Sequence, residues 1–172
     1  MVNFMLKNGF SLPVLADLLS DGLVDLLILA LIFWLFFKNK AKLPDFLVAI
    51  FVSGFLSEVI KDFVNRPRPV SVYTYEGSGF PSTHTALAFI AFFFFLNVCH
   101  RFAHIGKRSQ RIAFDSSRLV LSTLLLIGAI MVGLLRIIAE AHFISDVIGG
   151  AALAFLVSVV FMYYDVSVRR IK

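Results

Sequence analysis

The sequence predicts an all-α membrane protein: a bundle of five transmembrane helices preceded by a short N-terminal interfacial helix or helical extension. Three observations predict it. The 172 residues are 59% hydrophobic and only 16% charged, with 20 Phe and a mean hydropathy of +0.90; soluble domains of this size are not so apolar. Four apolar stretches, 43–63, 83–102, 119–138 and 143–164, reach the roughly 20 residues that cross about 30 Å of hydrocarbon. A fifth, 22–37, is shorter and broken only by Asp25. Finally, the cations fall unevenly between the segments that join these stretches.

Taken in order, residues 12–20 extend the first span, with Ser11 as a cap and Pro13 in the first turn. Residues 1–22 make a poor signal peptide, with one Lys, three Asp by residue 25 and no small-residue cleavage pattern. Asp17, Asp21 and Asp25 are four apart and line one helical face, expected to be wetted near the membrane surface. Splitting the N-terminal region to make six spans would leave a helix of about ten residues, too short to cross. The remaining connections are short, so residues 1–172 read as a single domain, without internal repeats. Cys99 is alone in an apolar run, which excludes an intrachain disulfide and makes thiol chemistry unexpected.

Five spans place three basic segments on one side: Lys38, Lys40 and Lys42; Arg101, Lys107, Arg108, Arg111 and Arg118; and Arg169, Arg170 and Lys172. That side holds 11 of the 16 Lys and Arg residues, so it is expected to be cytoplasmic, with the C-terminus. This distribution accounts for the net charge of +5 without nucleic acid. The opposite side holds Lys7, Lys61, Arg66, Arg68 and Arg136.

Those last four cations sit in segments that also carry the ionisable groups. Lys61 ends the second span, and Arg66-Pro67-Arg68-Pro69 is a stiff, extended tract. Its arginines suit bidentate contact with phosphate oxygens, and lysine supplies a point charge. In Pro81-Ser82-Thr83-His84, Ser82 is the expected N-cap of a helix whose first amides form an anion site, with His84 one turn in. His142 and Asp146, four apart at the start of the fifth span, are expected to share a face, so that the carboxylate fixes which imidazole nitrogen stays open. Intramembrane ionisable groups of this kind mark functional sites. The residue types show no metal set, and no cofactor is expected. Cations with two histidines and an aspartate instead describe acid–base phosphoryl chemistry, in which one histidine attacks phosphorus and the other protonates the departing oxygen. Glu58 reads as an ion-pair partner at a helix end; Glu140 could tether Arg136 or face water.

These segments, KDFVNRPRP (61–69), PSTH (81–84) and LRIIAEAHFISD (135–146), resemble the three motifs of the type 2 phosphatidic acid phosphatase family, with matching spacing over about 85 residues. The resemblance implies a metal-independent lipid phosphatase with Lys61, Arg68 and Arg136 on phosphate oxygens, helped by Ser82 and the Thr83 amide. His142 would be the nucleophile that forms a phosphohistidine, Asp146 its orienting partner and His84 the general acid. Thr83 stands where the motif has Gly, and Leu135 where it has Ser. Similar outward-facing bacterial members act on lipid A, undecaprenyl pyrophosphate or phosphatidylglycerol phosphate. The lipid A 1-phosphatase subgroup is the nearest in overall plan, which implies a bacterial inner membrane with the site facing the periplasm. A phosphotransferase that passes phosphate to a second lipid, and a non-catalytic lipid-binding or transport protein, are the alternatives. The expected partners are a phosphorylated membrane lipid, near Tyr73, Tyr75 and Phe80 at headgroup level, and the bilayer; no obligate protein partner is inferred.

Small-residue stripes (Ala49/Ser53/Ser57, Ala129/Gly133 and Gly150/Ala154) predict that the second, fourth and fifth spans form the inner bundle. The Phe-rich third span is then expected to turn its other side to lipid.

Overall fold

The computed structural model describes residues 11–70, 77–102 and 108–170, and their side chains except those of 100–102, 108–116 and 165–170. Five α-helices make up the described chain: α1 Leu12–Lys38, α2 Leu43–Val64, α3 Thr83–Phe102, α4 Arg108–Ile138 and α5 Ile144–Arg170. A 3₁₀ turn, Lys40–Lys42, joins α1 to α2. Four helical segments, Leu12–Lys38, Lys40–Val64, Ser117–Ile138 and Ile144–Tyr164, are long and apolar enough to cross a bilayer; Thr83–Cys99 of α3 is a shorter apolar run.

The N-terminal region resolves as a helical extension. α1 runs unbroken for 27 residues from Pro13 in its first turn, and ends where the Asn39 amide bonds to Leu35 O at 2.8 Å. Pro44 opens α2 in the same manner, and Asn65 closes it at φ 45°, a left-handed conformation that Asn tolerates better than most residues. α4 begins 11 residues earlier than the span read from sequence, so much of the expected basic loop is helix. Its Arg118 is buried and donates to Cys99 O at 3.0 Å.

α3 lies at the centre, in contact with each of the other four helices. Ala86, Ala88, Ile90, Ala91, Phe94, Phe95 and Val98 are all buried, and among its described side chains Leu96 is the one large apolar group left exposed. This corrects the expectation that the second, fourth and fifth spans form the inner bundle and that the third turns its other side to lipid. Phe94 packs against Phe46 of α2, and Phe95 meets Trp34 of α1 edge-on. The apolar outer surface comes from the surrounding helices, with Phe33, Phe51, Phe55, Leu124, Phe155 and Leu156 all exposed, as lipid contact requires. Small residues do line the close contacts. Ala49, Ser53 and Ser57 are fully buried. A Cβ on Gly150 would lie 3.1 Å from Ala86 N, and one on Gly133 would lie 2.7 Å from Val147 Cγ1. Such stripes let backbones approach where no hydrophobic drive between helices exists. Between α3 and α5, Asn97 donates to Ser158 O at 3.0 Å, a polar link across the apolar interior.

Candidate active site

One end of the bundle gathers the C-terminal ends of α2 and α4, the N-terminal ends of α3 and α5, and the first turns of α1. It is the end opposite the Lys40–Lys42 turn.

His142 sits two residues before α5, not on it. α4 stops in a Schellman motif: Glu140 takes a left-handed φ of 55°, its amide bonds to Ile137 O at 2.9 Å, and the Ala141 amide reaches Arg136 O at 3.2 Å. Glu140 is exposed, so the solvent-facing option holds. The turn delivers His142 inward, 3% exposed. Its Nδ1–H donates to Gly79 O at 2.8 Å, and Nε2 lies 3.4 Å from Arg68 Nη1. Burial, then the guanidinium charges of Arg136 and Arg68, push the imidazole down to about 3, so the ring is neutral with its Nε2 lone pair directed at the cations.

Asp146, fully buried, stands 3.5 Å from His142 Nδ1, too far for a hydrogen bond. The expectation that its carboxylate holds the ring through a shared helical face is corrected here, because other donors occupy both oxygens. Oδ2 accepts the Phe143 amide at 2.9 Å, as an N3 residue does when it reaches back to cap its helix. Oδ1 accepts Arg66 Nη1 at 2.9 Å. Arg66 was read only as part of a stiff tract, yet it ties that tract down. Its carbonyl accepts the Gly79 amide at 2.8 Å and its amide donates to Ser78 Oγ at 2.9 Å, while its guanidinium also lies over the Phe143 ring. Asp146 therefore reaches His142 through Arg66 and the Gly79 carbonyl. Gly79 is needed for the close approach, since a Cβ there would be 3.1 Å from Asp146 Oδ2 and 3.3 Å from Arg68 Cγ.

Arg68 Nη1 also bonds to Ala141 O at 3.2 Å, bridging the tract to the turn before His142. Ser82 caps α3, with Oγ 3.4 Å from the Thr85 amide, and its own amide donates to Asp146 O at 2.9 Å. The amides of Thr83 and His84 thus open the helix N-terminus. The Thr83 hydroxyl takes a hydrogen bond from Lys61 Nζ at 2.6 Å and gives one to Glu58 Oε1 at 2.9 Å, while Lys61 also pairs with Glu58 at 2.7 Å. The departure from Gly at this position is accommodated by that three-way tether. Leu135, the other departure, is half-buried against Ala16, Ala139 and Ala141, and so packs the Schellman turn onto α1.

α1 supplies what the sequence reading missed. Asp17 is buried and pairs with Arg136 Nη1, which also bonds to Ser20 Oγ at 3.1 Å. Asp21 Oδ1 lies 3.0 Å from His84 Nε2 and 3.6 Å from Arg136 Nη1. The expected wetted face holds for Asp21 and Asp25, which are exposed, and fails at Asp17, which is buried; only the four-residue spacing hinted at these pairings. Arg136 and Lys61 are charged neighbours of both His84 and His142. Tyr73 and Tyr75 lie outside the described residues, and Phe80 is half-buried, close over Gly149. Among the described residues no group of three His, Cys, Asp or Glu side chains is placed to hold a metal ion.

A helical membrane bundle with two imidazoles, a lysine and arginines at one end of its central helix is the architecture of a membrane lipid phosphatase. The chain belongs to the PAP2 superfamily, whose profile matches residues 42–170. No curated protein matches the chain. Among solved structures, it is similar to the first transmembrane PAP2 type phosphatidylglycerolphosphate phosphatase from Bacillus subtilis, with a TM-score of 0.67 at 20% identity over 95% of this chain and 82% of that one. It is also similar to LpxE of Aquifex aeolicus, with a TM-score of 0.61 at 25% identity over 94% of this chain and 93% of the other.

Proposed function

We propose that the chain removes phosphate from a membrane lipid through a phosphohistidine on His142, at the periplasmic face of a bacterial inner membrane, with lipid A 1-phosphate the favoured substrate. One observation carries the mechanism: a neutral, buried imidazole donates Nδ1–H to Gly79 O and aims Nε2 at Arg68. Nε2 attacks phosphorus while Lys61, Arg68, Arg136 and the Ser82–Thr83 helix end hold the equatorial oxygens. Thr83 and Glu58 keep Lys61 in place. Asp146 braces the tract that carries Gly79, and so orients His142 indirectly. His84 protonates the departing lipid oxygen, then takes a proton from the water that hydrolyses the phosphohistidine.

The lipid A assignment is supported by likeness to LpxE, a lipid A 1-phosphatase, over nearly the whole of both chains. Undecaprenyl pyrophosphate and phosphatidylglycerol phosphate have the same phosphate chemistry and are the competing substrates. The periplasmic assignment rests on the cation bias toward the other end of the bundle.

The test is phosphate release by the purified protein in detergent, from lipid A, undecaprenyl pyrophosphate, phosphatidylglycerol phosphate and phosphatidic acid, with and without chelator. Lipid A should turn over fastest and chelator should leave the rate unchanged. His142→Ala should lose about 10⁴-fold or more. A His142→Ala protein that retained turnover would remove the phosphohistidine route.

A further inference from the structure

The acid–base set above leaves two α1 carboxylates, Asp17 and Asp21, without a role. Asp17 is committed to Arg136 and Ser20 lies beside it, so that turn of α1 is fixed against α4. Ala16, packed on Leu135, Ala139 and Ala141, fixes its height against the turn that delivers His142. One helical turn further along, Asp21 Oδ1 meets His84 Nε2 at 3.0 Å. The contact joins residues 63 positions apart on two helices that pack together, with the His84 and Asp21 side chains 36% and 53% exposed.

We propose that Asp21 is the positioning residue of His84. This rests on the phosphatase reading above and adds a second carboxylate–imidazole pair to it, supplied by the N-terminal helix. The charged groups around the His84 ring are Arg136 of α4, Asp21 and Asp17 of α1, and Lys61 of α2. Among the described residues Asp21 is the carboxylate in ion-pair contact with the ring, its Oδ1 3.0 Å from Nε2. A carboxylate accepting Nε2–H fixes the ring plane and leaves Nδ1 as the nitrogen that exchanges a proton with substrate. In the first step the His142 Nε2–phosphorus bond forms and the phosphorus–oxygen bond to the lipid breaks. The departing oxygen takes the Nδ1 proton, and His84 becomes neutral with Nε2–H still on Asp21. In the second step, water forms its oxygen–phosphorus bond and gives a proton to His84 Nδ1. The phosphorus–nitrogen bond breaks, and both histidines return to their starting states.

A carboxylate that acts through the general acid matters only where the leaving oxygen needs a proton. The experiment compares an alkyl lipid monophosphate with nitrophenyl phosphate, whose aryl oxide leaves unprotonated. Asp21→Asn should lower turnover of the lipid by about 10²-fold, within the usual contribution of a general acid, and of the aryl ester by under about threefold. Asp21→Glu should restore most of the lipid rate. In a His84→Asn background, Asp21→Asn should have no further effect, because a group that acts through the ring has nothing left to act on. Thermal melts of each variant in detergent confirm folding. Equal losses on both esters, or full additivity with His84→Asn, would overturn the proposal and leave Asp21 as a structural partner of Arg136. Failure of the underlying phosphatase reading looks different: the unaltered protein would release no phosphate from lipid, or His142→Ala would keep its rate.

Discussion

At the residue scale, His142 stays unprotonated because burial and two guanidinium groups penalise its cation more than Gly79 favours it. Its value of about 3 when folded lies below the ordinary 6.5, so as pH falls the unfolded chain takes up the proton first. The corresponding stability is complete above about pH 6.5 and is lost progressively toward pH 3. His142→Gln should therefore melt with a shallower loss than the unaltered protein between pH 6.5 and 4; parallel melting curves would contradict the shift. Arg66 carries a second prediction. Arg66→Ala strands the fully buried Asp146, at a cost of about 2 kcal/mol, less than for a fully buried pair because a third of the arginine side chain meets solvent. It also loosens Gly79, so turnover should fall by 10-fold or more, with Arg66→Lys recovering stability better than rate. Chemical identity at this scale was largely legible: every residue named from the motifs lies at this end of the bundle. Contacts were not. Asp146 looked like the partner of His142 by spacing alone, but spacing implies a shared face only if both residues are helical, and His142 is not.

At the scale of elements, the Schellman turn is the unusual piece. Glu140 occupies a left-handed position that costs an L-residue about 1 kcal/mol, which glycine avoids. Glu140→Gly should be neutral or slightly stabilising in thermal melts, with turnover retained, since Glu140 is exposed and the hydrogen bonds of the turn are backbone only. α3 and α5 give the opposite case. A side chain on Gly150 would be driven into the Ser82 carbonyl, so Gly150→Leu should sharply lower the yield of folded protein, and unchanged melting would refute the close packing. Element existence and order were legible from apolar length, as was the small-residue stripe of α2. What misled was composition in α3. A run of four phenylalanines suits lipid as well as it suits a core, and nothing in one helix tells which of its neighbours will surround it.

For the whole molecule, a central helix enclosed by four others places its N-terminal amides on the bundle axis, and the cations of α2 and α4 converge there because those helices end at the same level. Sidedness is testable in a Cys99→Ser background. Glu140→Cys should react with a membrane-impermeant maleimide added to spheroplasts, and Lys40→Cys should react only after lysis; the reverse pattern would invert the orientation argued from charge. The contribution of α1 could not be read from sequence, because Asp17 and Asp21 acquire meaning only once α1 is placed against α4.

That placement also fixes a depth. Nine residues of α1 precede Asp21, so at 1.5 Å per residue the helix stands about 14 Å beyond the carboxylate that meets His84, with Leu12, Leu15, Leu18 and Leu19 exposed along it. The reaction floor is sunken on this flank behind a greasy parapet, and a phosphate has to descend past it. Turnover should then depend on how far headgroups lie above that floor: vesicles of longer-chain lipids, which lift the headgroup plane away from the bilayer centre, should slow hydrolysis, and thinner ones should hasten it.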